Sequence, residues 1–378
     1  MPVAIHHPGY ADYCFGEAHP FHPDRYAMTL DLCRELGLAL DPVAPPPVPE
    51  ELLLAVHDPA YVAAVAAACR DLAPRPEFGL GPPDNPLTPT LERGARLVAG
   101  GTVHAAELLL AGRARRVLQV GGGLHHARPA RAAGFCLYND LALAVTRLAD
   151  AGWHVAYLDI DVHHGDGVQE IFIADDRVLT LSLHESGAYL YPGTGGVHEL
   201  GRGMGRGLSL NVPLPPGAGD DAYLAAFDLA APAALEWFRP DVLVLQAGAD
   251  AHVLDPLADL ALTTRGYRAL FDRVTTLAEA HTGGRLLVTL GGGYDAGAAA
   301  RVWALLALHL WEHPVVTGNE DVALPSAWRD RWRRRLGATP PLRLDDPPDL
   351  APPPDPHRRR EAEAVARRLL DAACRHWV

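Results

Sequence analysis

Asp159, Asp161 and His163 are spaced two residues apart in the run Leu158-Asp-Ile-Asp-Val-His-His-Gly-Asp-Gly167. In an extended strand alternate side chains share a face, so these three would point one way and Ile160 and Val162 the other. Carboxylates aligned in a buried setting are costly unless a cation or dense hydrogen bonding compensates them, and Gly165 and Gly167 let the chain turn sharply beneath. A metal ion is the compensation this pattern implies. Alone, an Asp-x-His pair is more often a buried salt bridge, so the reading depends on what accompanies it.

The elements that must position these residues follow an α/β rhythm, with short β-branched or leucine-rich runs alternating with longer amphipathic ones. Strands are predicted at Val117 to Val120, His154 to Val162, Val178 to His184, Leu208 to Val212, Asp241 to Ala247 and Arg285 to Leu290. Helices are predicted at 23–36, 58–72, 90–111, 138–150, 221–237, 265–281 and 297–311. Continuously apolar strands suit a sheet covered on both faces, which predicts a single α/β domain with a mostly parallel central sheet flanked by helices. Residues 1–335 are read as the catalytic domain, and 336–378 as a proline-rich linker and C-terminal helix packed on it. Proline-rich stretches at 41–49 and 74–89 read as surface loops.

Reactive signatures fall at the ends of these strands: Gly121-Gly-Gly-Leu-His-His126, Asp161 to Asp166, Asp250, and Gly291-Gly-Gly-Tyr294. Open parallel sheets bind ligands just outside the carboxyl ends of their strands, so segments remote in sequence are predicted to meet in one pocket.

Composition narrows the chemistry. The 378 residues include no lysine, all 33 basic residues being arginine, which removes a P-loop lysine and a Schiff-base lysine. The net charge of -13 argues against direct nucleic-acid binding. The 5 cysteines are scattered with no Cys-x-x-Cys pair, so neither a disulfide framework nor a thiolate zinc site is expected. The start lacks a signal-peptide pattern and no apolar run reaches membrane-spanning length, so a cytoplasmic protein without a membrane partner is expected. Oligomeric state is open.

The strings Gly-Gly-Leu-His-His126-Ala, Gly134-Phe-Cys-Leu-Tyr-Asn-Asp140, Asp159-Ile-Asp-Val-His-His-Gly-Asp-Gly-Val168, Tyr191-Pro-Gly-Thr-Gly195, Asn211-Val-Pro213 and Gly-Gly-Gly-Tyr294 resemble, in order, the metal-dependent histone deacetylase superfamily. His19-Pro-x-x-Pro-x-Arg25, His57-Asp-Pro-Ala-Tyr61, Asp84-Asn-Pro86 and Asp255-Pro-Leu257 are most similar to its bacterial acetoin-utilisation deacetylases. The resemblance implies an arginase/deacetylase-like fold and Asp161, His163 and Asp250 as ligands of Zn(II) or Fe(II). It implies dyads of His125 with Asp159 and of His126 with Asp166. His126 would be the general base and acid, His125 an electrostatic aid, and Tyr294, on a mobile triglycine loop, the oxyanion donor. Gly134, Phe135, Tyr191 and Leu257 would shape a substrate tunnel, with Asp84 at its rim. A potassium ion would sit among backbone carbonyls of Asp159, Asp161, His163 and Leu183 and the Ser182 hydroxyl.

Three functions follow from the resemblance: removal of acetyl groups from ε-N-acetyl-lysine of proteins, hydrolysis of small acetylated amines such as acetylpolyamines, or non-catalytic binding of an acetylated partner. A polyamine substrate would call for acidic groups at the mouth, for which Asp84 and Glu185 are candidates. A two-metal ureohydrolase needs Asp-x-His-x-Asp, and Gly165 stands where the second aspartate belongs.

Overall fold

The computed structural model describes residues 1–317, 322–336 and 339–377. Within the expected linker, residues 337–338 therefore lie outside the described residues. Its strands are β1 (Val3–Ile5), β2 (Arg116–Gln119), β3 (Val155–Asp159), β4 (Val178–Glu185), β5 (Ser209–Leu214), β6 (Val242–Gln246) and β7 (Leu286–Thr289). They form one 7-stranded sheet in the order β1-β2-β7-β6-β3-β4-β5, with every neighbouring pair parallel.

Both faces of the sheet are covered, as continuously apolar strands require. Alternate residues enter two separate cores. Leu118, Leu158, Leu181, Leu245 and Val288 join one, while Val117, Tyr157, Val178, Val244 and Leu287 join the other. The first core also takes helices Asp24–Glu35, Asp220–Phe238, Thr264–Thr282 and Ala296–Leu310. Asp140–Asp150 and the end of Leu91–Leu110 close the second. Side-chain oxygens of Asp58, Asn139, Thr263 and Asp295 cap their helices by accepting backbone N–H groups, satisfying donors with no partner inside the helix.

The seven predicted helices each end within two residues of the observed ones. Strand His154 to Val162 is the exception among the strands, because β3 stops at Asp159. Past Ile160, whose N–H still bonds the Gln246 carbonyl, carboxylates take the next three backbone donors. Asp159 Oδ1 accepts the Asp161 N–H at 3.1 Å, Asp161 Oδ1 accepts the His163 N–H at 3.0 Å, and Asp250 Oδ1 accepts the Val162 N–H at 2.9 Å. Carboxylates offering the backbone a local alternative end the strand. Asp161 and His163 therefore stand on a loop past β3 rather than on its face. β1, three residues long, carries too little pattern to be predicted.

The predicted linker is not a free connector. Leu344, Asp345 and Asp346 are buried. Asp346 Oδ1 accepts from Arg301 Nη1 at 2.6 Å, and its Oδ2 accepts from His252 Nε2 and the Thr264 N–H, each at 2.8 Å. Proline-rich composition signals irregular backbone, not exposure. The last helix, Pro356–Ala373, lays Val365, Ala366 and Leu369 against the body, and Trp377 stacks on Trp237 at 4.8 Å.

Candidate active site

From β3 the chain continues to β4 on one side, and from β6 to β7 on the other. Where neighbouring strands diverge in this way, their carboxyl ends leave a crevice that neither connection covers. Asp161 and His163 follow β3, and Asp250 follows β6, so all three enter this crevice. His125 and His126 arrive from beyond β2, and Tyr294 from beyond β7. His125, His126, Gly134, Phe135, Asp161, His163 and Tyr294 line one narrow cavity, with Gly291, Gly292 and Cys136 among its other walls.

At its floor, Asp161, His163 and Asp250 are all buried and bring one ligand atom each within 4.8 Å of the others. His163 Nδ1 lies 3.1 Å from Asp161 Oδ1 and 3.2 Å from Asp250 Oδ2. Asp161 Oδ2 further accepts from Gln246 Nε2 at 2.7 Å and from the Gly292 N–H at 2.8 Å. These bonds orient the carboxylate. Burial and the Asp161 charge push the Asp250 carboxyl well above the usual range. Burial alone would lower His163, but hydrogen bonds to Asp161 and Asp250 and their charges raise it to about 10. The cluster demands positive charge, and two carboxylates with one imidazole fit a divalent cation as the source.

Beside this cluster stand two histidine–carboxylate pairs. His125 Nδ1 is 2.8 Å from Asp159 Oδ2, and His126 Nδ1 is 2.6 Å from Asp166 Oδ1. Their Nε2 atoms meet at 3.1 Å. The two imidazoles are pushed in opposite directions. Burial opposes charge on His125, yet Asp159 and Asp161 outweigh it and raise the group to about 9. Burial and the neighbouring His125 charge hold His126 down to about 4, against the pull of Asp166. The two adjacent imidazoles thus favour opposite protonation states, His125 charged and His126 neutral.

The tunnel residues separate into two groups. Phe135 faces Tyr294 edge-on at 5.9 Å, and Tyr191 meets the His126 ring at 5.1 Å. Gly134 is required by close approach, since a Cβ there would overlap the His126 ring. Phe135 holds a left-handed φ of 66, with its carbonyl accepting from Tyr13 Oη at 2.6 Å. Asp84 lies farther out, exposed, sharing an outer cavity with Tyr191. Leu257 does not line the inner cavity, and its N–H donates to Asp255 Oδ1 at 3.0 Å. Glu185 is buried, and its Oε2 accepts from the Asp259 N–H. Ser182 pairs with Asp159 across β4 and β3, its hydroxyl 2.8 Å from His184 Nδ1, and the Leu183 carbonyl accepts from Tyr223 at 3.3 Å.

The triglycine segment is tied rather than loose. The Gly292 N–H bonds Asp161, its carbonyl accepts from Ala249 at 2.7 Å, and Arg25 Nη1 donates to the Gly293 carbonyl at 2.6 Å. A Cβ at Gly292 would overlap the Asp250 carboxylate, so contact with the floor explains this glycine.

A histone deacetylase domain model matches residues 19–310 of this chain. The chain belongs to the histone deacetylase family. It is 39% identical over 358 residues to the acetoin utilization protein AcuC of Bacillus subtilis (strain 168), covering 93% of this chain and 91% of that one. It is 34% identical over 342 residues to AcuC of Staphylococcus aureus (strain MRSA252), covering 88% and 87%. A solved histone deacetylase homologue from Aquifex aeolicus superposes with a TM-score of 0.85 at 28% identity, over 97% of this chain and 99% of that one. A homologue complexed with SAHA gives a TM-score of 0.86.

Within this histone deacetylase fold, the supporting residues were the ones sequence reasoning missed. Asp255 Oδ2 accepts the Tyr294 N–H at 2.7 Å while Oδ1 takes Leu257. Asn139 Nδ2 donates to the carbonyls of His125 and Ala127, and His57 Nε2 accepts the Asn139 N–H at 3.0 Å. Asn139, His57 and Asp255 all lie inside quoted motifs, which were the available signal. Gln246 sits at the end of an apolar strand and had none.

Proposed function

We propose that this histone deacetylase family member removes acetyl groups from ε-N-acetyl-lysine of proteins by metal-dependent hydrolysis. The observation that carries the reading is the pair of carboxylate-anchored histidines, Nε2 to Nε2 at 3.1 Å, beside a buried Asp161–His163–Asp250 cluster. Zn(II) or Fe(II) suits that donor set. When bound, the ion supplies Lewis acidity and lowers the pKa of water.

The remaining roles belong to the protein. With its Nδ1–H committed to Asp166, His126 presents Nε2 as the base that takes a proton from the attacking water. The same atom returns a proton to the ε-amine as the amide C–N bond breaks, leaving acetate and free lysine. His125, anchored on Asp159, supplies electrostatic support. The Tyr294 hydroxyl donates a hydrogen bond to the developing oxyanion. Phe135, Gly134 and Tyr191 admit an unbranched acyl-lysine chain and keep bulk water out, while Leu257 acts through its link to Asp255. A potassium ion held by Asp159, Asp161, His163, Ser182 and Leu183 would brace the loop past β3 from behind. The register pairing of Asp159 with Ser182 supports that placement.

The rim favours a peptide over a polycation. Arg128 and Arg131 line the outer cavity with Asp84, and Glu185 is buried elsewhere. Asp166 is occupied by His126 and Arg128, so it offers no second metal the bridge a ureohydrolase needs. Intact dyads speak against a purely binding role. The 5 cysteines are unpaired, which supports a cytoplasmic location, and among the described residues no helix is long and apolar enough to cross a membrane.

The test is hydrolysis of an acetyl-lysine peptide against acetylated polyamines by metal-quantified protein, before and after chelation and re-addition of zinc or iron. Chelator-sensitive preference for the peptide is expected. A preference for polyamines would overturn the substrate class, and chelator-insensitive turnover would overturn the metal assignment.

A further inference from the structure

Outside the tunnel mouth lies a cavity of about 420 Å³ whose walls include Leu80, Asp84, Asn85, Arg128, Arg131 and Tyr191. Tyr191 is the partition, since its ring also packs against His126. The loop carrying Arg128 and Arg131 begins at His126 and ends at Gly134 and Phe135, so both its ends are walls of the inner cavity while its middle walls the outer one.

The outer cavity is built rather than incidental. Its two loops are stitched together by the Ala132 N–H to the Phe78 carbonyl at 2.9 Å. The other wall is closed by the reciprocal Gly81 and Asn85 backbone pair at 2.8 and 3.1 Å and by Asn85 Nδ2 to the Gly79 carbonyl at 3.0 Å.

Its charges are not equivalent. Arg128 is already committed, to Asp166 and Glu170 at 2.8 Å each. Arg131 is exposed and makes no ion pair among the described residues. Its Nη1 is steadied by the carbonyls of Pro76 at 3.2 Å and Glu77 at 3.4 Å, and its Nε and Nη2 make no hydrogen bond among the described residues. A guanidinium with one arm anchored and two donors free matches a carboxylate. Across the cavity, Asn85 is 1% exposed and its Oδ1 lacks a partner, while the Asp84 carboxylate is exposed beside it. The Asp84 carboxylate is an acceptor suited to peptide N–H groups, and it repels a second anion. The lining is thus dipolar.

We propose that this cavity is a subsite for an acidic side chain flanking the acetyl-lysine of a peptide, with Arg131 as its specificity-determining residue; this rests on the acetyl-lysine reading above. The peptide backbone lies toward Asp84, and the Glu or Asp side chain reaches Arg131. No bond is made or broken there. The contribution appears in substrate affinity, and it is modest because the pair is solvent-exposed.

The experiment uses the full chain and matched acetyl-lysine peptides carrying Glu, Gln or Lys next to the acetyl-lysine. The Glu peptide is expected to exceed the Gln peptide in kcat/KM by about threefold to fivefold. That gain should lie in KM and shrink as salt rises toward about 0.5 M. Arg131→Gln should bring the Glu/Gln ratio close to one, Arg131→Lys should retain part of it, and Arg131→Glu should favour the Lys peptide. Equal KM values for Glu and Gln peptides in the unmodified protein, or a ratio that survives in Arg131→Gln, would overturn the subsite alone. Failure to cleave even the neutral Gln peptide would overturn the acetyl-lysine reading and the subsite with it.

Discussion

The floor of the site and its rim are built on different principles. At the floor, Asp161, His163, Asp250, His125 and His126 are all buried, lie beyond the carboxyl ends of the parallel strands β2, β3 and β6, and are each held by further hydrogen bonds. At the rim, Asp84 and Arg131 are exposed on loops between elements. A buried charge must have its partners fixed before it can exist there, whereas an exposed one is free to vary at little cost to the fold. The buried polar groups are therefore placed by sheet topology, and the exposed ones by loops.

That contrast can be broken at several depths. The largest effect is expected at the floor, where Asp250→Ala should lose stoichiometric metal and lower turnover on the order of 10³-fold or more. Metal analysis alongside initial rates checks this, and full metal content would remove Asp250 from the ligand set. Tyr294→Phe should keep the metal while lowering kcat by about 10²-fold to 10³-fold, as for loss of an oxyanion donor. Undiminished kcat would leave the oxyanion without its assigned donor.

Next comes the brace behind the floor. Burial would raise the Asp346 carboxyl, but the hydrogen bond and charge of His252 and the charge of Arg301 hold it well below the usual range. A carboxyl depressed in the folded state stabilises above its unfolded pKa of about 3.9 and loses that contribution as pH falls further. Asp346→Asn should accordingly cost about 3 kcal/mol near neutral pH, with the deficit narrowing below about pH 4 as the parent protein also becomes protonated. Denaturant unfolding at several pH values measures this, and a deficit independent of pH would mean the charge is not what matters.

The smallest of these effects joins the two regions. Asp255→Ala removes the acceptor shared by the N–H groups of Tyr294 and Leu257. It should lower kcat about tenfold with metal content unchanged, since Asp255 positions Tyr294 without touching the cluster. Loss of metal instead would show that Asp255 acts on the floor directly.

Much of this site is legible in the sequence. Motif and strand-end position single out Asp161, His163, Asp250, His125, His126, Asp159, Asp166 and Tyr294, and the structure gathers them. Leu257 is not among the walls of the inner cavity, and its backbone N–H donates to Asp255, a contact the motif does not encode. The sequence alone suggests a mobile triglycine run, yet its backbone is hydrogen-bonded at Gly292, Gly293 and Tyr294. Glycine permits motion and close approach alike, and only the neighbours distinguish them.

By itself, the sequence determined the α/β class, the predicted helices and most strand limits, and which residue types could do chemistry, because periodicity and local spacing act over a few residues. Only the tertiary structure decided three other features. β3 ends at Asp159 because carboxylates capture the next backbone amides. The segment around Asp346 is a buried clamp because His252, Arg301 and Thr264 converge on it from distant elements. Arg131 keeps donors free while Arg128 does not, because Asp166 and Glu170 lie within reach of only one of them. At β3 two of the capturing carboxylates are local, but Asp250, like the groups around Asp346 and Arg128, comes from far along the chain, and that meeting is a property of packing that no local pattern encodes.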